Sequence, residues 1–414
     1  MSLLYKARFK PALLITLINI IGFLLLFIIP SDNTYSKDFL YVGLILCVIN
    51  LTTFCILYFF NLGDVYLYLL TAMLMSIGII MLFRLNFAYG KAQILWYIIG
   101  ISVFFASYFI FRFFKKWNKL LYFYIGLTVF AYLLTLVLGR SESGSKNWIS
   151  IGKYSVQPSE FIKILYCFAL ACFMSEKPKK DSFFTRTFIG ISYRDIAMAA
   201  YVYMCMGFFV LQREWGTALL FFMIYFTVIF IYDKNYKIIL INIAIAVFMS
   251  YAGYKFTPHI KNRVSIWLDP WSDIMGKGFQ ITQSLFAIAS GGYFGTGLGQ
   301  GSPYSIPEVH TDFIFSAICE EMGVFTGIAI ILIYFLFSYR GAKIALNTKN
   351  EFCKALAILL TVSFAYQTFI IVGGVIKLIP LTGITMPFVS YGGSSLVSCF
   401  ISMGILVAIS YTEK

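Results

Sequence analysis

The chain has 414 residues, of which 60% are hydrophobic, 19% aromatic and only 12% charged. Apolar runs of about 20 residues recur from one end to the other, which marks a polytopic all-α membrane protein and leaves no interval long enough for a sizeable soluble domain. The net charge of +14 then reads as the basic bias of cytoplasmic loops plus attraction to anionic lipid. No basic, aromatic-interleaved soluble surface exists that could bind nucleic acid.

Twelve spans are predicted, near residues 11–30, 39–60, 65–83, 93–113, 119–138, 158–175, 195–211, 217–232, 238–257, 312–338, 353–376 and 388–410. An even number puts both termini on one side. One set of span ends carries Lys6, Arg8 and Lys10, then Arg112, Lys115, Lys116 and Lys119, then Lys177, Lys179, Lys180, Arg186 and Arg194. Lys234, Lys237, Arg340, Lys343, Lys349, Lys354 and Lys414 bring that side to nineteen of the 32 basic residues. By the positive-inside rule both termini are cytoplasmic and the long connection between spans nine and ten is outside. The first run is read as an uncleaved span, because Pro30-Ser31-Asp32 is a poor small-x-small cleavage site. The eight cysteines form no C-x-x-C pair, so neither a disulfide framework nor a zinc site is suggested.

The longest break in this apolar pattern, His259 to Asp312, combines acids, bases and glycines. Four further polar clusters surround it: GSKNWISIGKYSVQPSEFIK before the sixth span, the QREWGTA turn, HTDFIFSAICEE entering the tenth span, and PLTGITMPFVSYGGSS entering the last. A transporter places its polar groups near the midplane. Here they gather toward the outer face, which favours work on a substrate held at that surface.

The order QPSE, Q-x-x-x-GTA, D-x-x-G-x-G-F-Q, IPE-x-HTDFIF-x-x-x-x-EE-x-G and P-L-T-G-x-x-x-P-F-x-SYGGSS resembles the SEDS family, the shape, elongation, division and sporulation proteins typified by FtsW, RodA and SpoVE. The similarity runs from about Leu74 to the C-terminus. It implies a ten-span core over residues 65–414 with a two-span addition at residues 1–64. It also implies a peptidoglycan glycosyltransferase that polymerises lipid II in the bacterial cytoplasmic membrane, partnered by a class B penicillin-binding protein that crosslinks the strands.

The resemblance places the essential loop acid on Asp273. Joining a β-linked glycan from an α-linked lipid pyrophosphate inverts the anomeric carbon, and a carboxylate near the attacking hydroxyl can accept its proton. A turn-capping role is the alternative for such an aspartate, and Asp269-Pro270 suits that better. The pyrophosphate leaving group calls for cations, for which Arg213, Lys261, Arg263 and Lys277 are outer-side candidates. Glu160 and Lys163, three apart on a helix, either pair with each other or contact substrate. Glu320 and Glu321 lie roughly 12 to 14 Å into the tenth span at 1.5 Å per residue, so at least one needs a polar cavity or a basic partner. His310, Asp312 and Glu320 serve either helix locking or catalysis. Trp148 is a sugar-stacking candidate or a member of the interfacial aromatic belt. Ser394, in SYGGSS, lies where paired glycines allow a headgroup or a neighbouring helix to approach. One histidine beside one aspartate is not a metal-ligand set. No motif demands a cofactor, while the pyrophosphate chemistry leaves room for a divalent cation. The glycine-rich loop after Gln280 reads as mobile, a segment that a partner could order.

The chain departs from the family pattern where Ile274 replaces proline, Glu214-Trp215 replaces aspartate-leucine, Asn147 replaces arginine and Phe279 replaces tyrosine. Two other functions fit a membrane protein of this kind: a flippase of lipid-linked precursors, which needs polar groups reaching both leaflets, and a non-catalytic scaffold, which tolerates loss of the loop acids.

Overall fold

A computed structural model describes residues 2–28, 36–142, 145–152, 154–175, 187–188, 191–232 and 236–411. Lys177, Lys179, Lys180, Arg186, Lys234 and Lys414 lie outside the described residues, as do Pro30, Ser31 and Asp32.

Fourteen helices run through the described residues: α1 Ser2–Ile28, α2 Ser36–Phe59, α3 Val65–Leu85, α4 Phe87–Phe113, α5 Leu121–Leu138, α6 Pro158–Ser175 and α7 Tyr193–Gln212. They continue as α8 Trp215–Tyr232, α9 Tyr236–Phe256, α10 Pro258–Leu268, α11 Phe279–Gly291, α12 Ile314–Asn347, α13 Glu351–Val375 and α14 Gly393–Tyr411. Twelve are long and apolar enough to cross a membrane. The two that are not, α10 and α11, lie in the His259–Asp312 interruption, which is therefore partly helical rather than one long loop. A three-stranded antiparallel sheet, β1 Arg140–Glu142, β2 Ser145–Ile151 and β3 Tyr154–Val156, covers the same end, and a short pair, β4 Thr187–Phe188 and β5 Ile191–Ser192, precedes α7.

Polar residues at the helix ends set the boundaries. Asp64 caps α3 by accepting from Tyr66 N at 2.9 Å, and Asn86 ends α3 and caps α4 by accepting from Ala88 N at 2.8 Å. The most buried spans are α3, α6, α13 and α14, while α9 is the least buried. Outer spans turn leucine, isoleucine and phenylalanine outward, as hydrocarbon requires. Helices α4 and α14 pack closely: a Cβ at Gly404 would stand 2.1 Å from Ser107 Oγ.

Among the boundaries that differ from the sequence reading, two have a local cause. The tenth span, expected over 312–338, is α12, two helical pieces joined at Gly323 (φ 84°, ψ 162°). The break frees the amides of Val324 and Phe325, which the carbonyls of Gly292 and Tyr293 accept at 3.0 and 3.2 Å. The last span, expected from residue 388, starts at Gly393, since Ser390 Oγ takes the amide of Met386 and holds a turn there.

The glycine-rich loop corrects a further expectation, because the segment after α11 is pinned. Glu321 accepts from Gly299 N at 2.8 Å and pairs with Arg84 Nε at 3.0 Å, while Glu320 accepts from Ser302 N at 2.8 Å. Arg84 also donates to the carbonyls of Gly299 and Gly301 and to Tyr304 Oη. The two acids reach their depth at tolerable cost because this loop folds down over them and supplies donors.

Candidate active site

At the end of the bundle that carries α10 and α11, a cavity of about 600 Å³ is bounded by α10, the start of α11, residues 308–312 and the loop after α13. Its polar wall brings together Arg263, Lys277 and Asp312 from the predicted set. It adds His259, Glu308 and Lys377, which the sequence reading did not single out. Glu308 and Lys377 both adopt left-handed backbone, φ 55° and 62°. That conformation is unfavourable for a residue with a Cβ and is not visible in residue identity.

Arg263 reaches across from α10, donating Nη1 to the carbonyl of Leu381 at 2.7 Å, and Trp267 Nε1 donates to Lys377 O at 3.2 Å. Asp312 lies opposite. Arg263 Nη2 and Asp312 Oδ2 both come within 3.5 Å of where a Cβ on Gly383 would be, so this glycine leaves the space between cation and acid open. Burial pushes the Asp312 carboxyl up to about 6, and the Arg263 guanidinium opposes that rise. Burial also lowers His259, helped by the positive charges of Arg263 and Arg213. Arg213, the left-handed cap of α7, thus acts on the cavity through its field rather than from its wall. Among the described residues no group of three His, Cys, Asp or Glu could hold a metal ion.

Asp273 closes a 3-10 turn, Pro270–Asp273, just before α11. It is exposed, and its Oδ2 accepts from the amide of cavity-lining Lys277 at 3.0 Å. The glycines of the D-x-x-G-x-G motif follow from this geometry. A Cβ at Gly276 would lie 2.4 Å from Asp273 Oδ1, and one at Gly278 would lie 2.3 Å from Pro270 O. Asp269 takes the turn-capping role expected of it, accepting from Trp271 N at 3.1 Å.

Asp273 itself is not on the cavity wall, and Trp148, Glu160, Lys163, Lys261, His310, Glu320 and Ser394 do not line the cavity either. Trp148 is half-buried on β2, paired with Arg140. His310 stacks on Tyr89 with centroids 4.3 Å apart, and burial lowers its basicity. Its carbonyl accepts from Tyr391 N, and Ser390 Oγ donates to Thr311 O, so the HTD segment is stitched to SYGG. Glu160 and Lys163 pair at 2.8 Å beneath the cavity. Lys163 Nζ also donates to Gln367 Oε1 at 2.8 Å, and Ser398 Oγ donates to Glu160 Oε2 at 2.9 Å. Ser394 is buried at the start of α14, whose neighbour Gly393 packs on the Trp96 ring. Two departures from the family pattern, Asn147 and Glu214, meet: Asn147 hydrogen-bonds the buried Glu214, as does Gln157 of the QPSE motif, and burial pushes the Glu214 carboxyl up. At Asn147 a neutral donor thus stands where the family pattern has arginine.

The fold and site define a class, a multi-pass membrane protein whose spans hold a two-signed polar cavity at one end. The family model described as Cell cycle protein, FtsW/RodA/SpoVE, matches residues 64–414, and the chain belongs to that family. The peptidoglycan glycosyltransferase RodA of Mycobacterium tuberculosis is 36% identical over 367 residues, covering 83% of this chain and 77% of that protein. The stage V sporulation protein E of Bacillus subtilis is 34% identical over 370 residues, covering 84% of this chain and 96% of that protein. Among solved structures, a chain from work on the structural coordination of polymerization and crosslinking by a peptidoglycan synthase complex matches with TM-score 0.69 and 24% identity, over 85% of this chain and 98% of that one. The rod shape determining protein RodA of Thermus thermophilus matches with TM-score 0.59 and 22% identity, over 84% and 96%. These two likenesses establish the fold.

Proposed function

We propose that the cavity beside α10 is where this peptidoglycan glycosyltransferase joins lipid II units, at the outer face of the bacterial cytoplasmic membrane. The chain is a multi-pass membrane enzyme, and the family relationship supports polymerisation as its reaction. The observation that carries the site assignment is the Asp273 turn, whose carboxylate is bonded to Lys277 on the wall of a cavity that also holds Arg263 and Lys377.

In this reading Asp273 accepts the proton of the acceptor sugar hydroxyl as that oxygen attacks the anomeric carbon of the donor. The bond to the lipid pyrophosphate breaks on the opposite face. Arg263, Lys277 and Lys377 neutralise the departing pyrophosphate, where preorganised cations act most strongly. Asp312 and Glu308 balance those cations between turnovers.

The basic bias of the opposite span ends supports cytoplasmic termini and an outward-facing cavity. Residues 1–64 form a two-span addition to a catalytic core over 65–414. A class B penicillin-binding protein is the proposed partner, supported by the synthase-complex neighbour and by the absence of a penicillin-binding motif in this sequence.

The test is lipid II polymerisation by purified protein in liposomes, with and without a candidate partner. Wild type forms glycan polymer and Asp273→Asn, folded equally well, forms none. Equal polymer from both would sink the base assignment, and lipid movement across the bilayer without polymer would favour a flippase.

A further inference from the structure

We propose a binding site for the headgroup of an anionic phospholipid at the other end of the bundle, completed by the two-span addition. It goes beyond the glycosyltransferase reading and rests on it only for placing this end at the inner leaflet.

A second cavity, about 500 Å³, lies where the end of α2, the start of α3 and the end of α12 converge. Its polar wall holds three cations, Arg340, Lys343 and Lys349, against one carboxylate, Asp64. That carboxylate is already committed. Its Oδ1 accepts the capping amide of Tyr66 at 2.9 Å, and its Oδ2 takes Arg340 Nη2 at 2.5 Å. Arg340 is held further by the Tyr66 ring, 4.7 Å from its guanidinium carbon, while its Nε is buried with no hydrogen-bond partner. Lys343 is exposed and pairs with no carboxylate among the described residues. A second anion is the group this arrangement lacks: Asp64 is taken by Tyr66 N and Arg340, and the exposed Lys343 ammonium on the wall has no carboxylate to answer it.

The rest of the wall says what carries that anion. Phe54 and Tyr58 of α2 and Leu69 of α3 line the same cavity, and Phe59, the last residue of α2, and Phe60 after it are 61% and 71% exposed. A phosphate bearing acyl chains satisfies both surfaces, whereas free phosphate satisfies only the cations. Basic pockets between spans at the cytoplasmic face suit such headgroups. The floor is rigid: Gly63 (φ 122°) packs on Val407 O and Ser410 Oγ, and Asp64 N donates to Ser410 Oγ at 2.8 Å. The second N-terminal helix, α2, which contributes nothing to the candidate active site, thus supplies one wall of a lipid site.

The experiment is native mass spectrometry of the delipidated full chain, titrated with phosphatidylglycerol, cardiolipin or phosphatidylcholine. One anionic lipid should be retained roughly tenfold more tightly than phosphatidylcholine, and Lys343→Glu should remove most of that preference. Lys115→Glu, an exposed basic position at the same end outside the cavity, should leave it intact. Equal retention of all three lipids, or an unchanged preference in Lys343→Glu, overturns the proposal. Displacement of the lipid by excess inorganic phosphate overturns it in favour of a soluble phosphate ligand. Polymerisation is read separately on the wild-type chain, so no anionic-lipid preference with intact polymer synthesis condemns this site alone, and a clear preference without polymer condemns only the glycosyltransferase reading.

Discussion

The turn that carries Asp273 and the cluster that holds Glu160 and Lys163 are neighbouring polar regions built in opposite ways. No residue of α10 is buried, and among the described residues Arg263 and Trp267 hydrogen-bond it to the loop after α13. The Glu160–Lys163 cluster lies under that loop with side chains 12% and 7% exposed, bonded to Gln367 and Ser398. Gln367 in turn donates to Thr385 O at 2.9 Å. An exposed carboxylate on a lightly anchored arm can meet a substrate. A saturated buried pair can only hold three helices in register.

The sharpest break of this comparison is Asp273→Asn. We expect polymerisation to fall by about 10²- to 10⁴-fold with thermal stability within about 0.5 kcal/mol of wild type. A large drop in melting temperature would mean that the turn is structural after all.

Next comes Lys163→Met, which strands a buried carboxylate and should destabilise the protein by about 3–5 kcal/mol, with Glu160→Gln added in the same chain restoring part of it. Thermal unfolding in detergent reads this, and a variant as stable as wild type would remove the cluster's structural role.

Asp312 sits between the two cases. Its carboxyl ordinarily titrates near 3.8 and is pushed up to about 6 in the fold, so the folded chain binds more protons than the unfolded chain between those values. Stability should therefore fall as pH rises from 3.8 to 6 and level off above, and Asp312→Asn should flatten that slope in melting curves taken across pH. Arg263→Gln should carry the slope to higher pH, because it removes the cation that holds the acid down.

The smallest effect is expected from Tyr304→Phe. This hydroxyl accepts from Arg84 Nη1 at 2.5 Å and donates to Arg84 O at 2.9 Å. Its loss should cost about 1 kcal/mol or less and speed hydrogen exchange across 292–302, while unchanged exchange would show that Glu320 and Glu321 suffice to pin the loop.

Span number, family and motif order were legible because each rests on a local property: a run of apolar residues long enough for hydrocarbon, or an ordered string of residue types. The Glu160–Lys163 pair was legible as well, since three-residue spacing on a helix brings two side chains together. Arg84 was not, because a single arginine at the end of α3 carries no sign that its partner lies 237 positions away. Lys377 and Glu308 were invisible for another reason, as their place on the cavity wall depends on backbone that turns left-handed. The glycine-rich loop looked mobile by composition, yet two buried acids and one arginine hold it.

By itself the sequence determined the membrane class, the spans and the family, since burying apolar runs and satisfying every backbone hydrogen bond within helices are requirements of the chain alone. Only the tertiary structure decided which charges meet. It gathered Arg263, Lys277 and Asp312 around one cavity and enclosed Glu160 with Lys163 away from it. It also put Arg340 and Lys343 beside the two-span addition, because long-range packing and desolvation, not spacing along the chain, choose the partners of a buried charge.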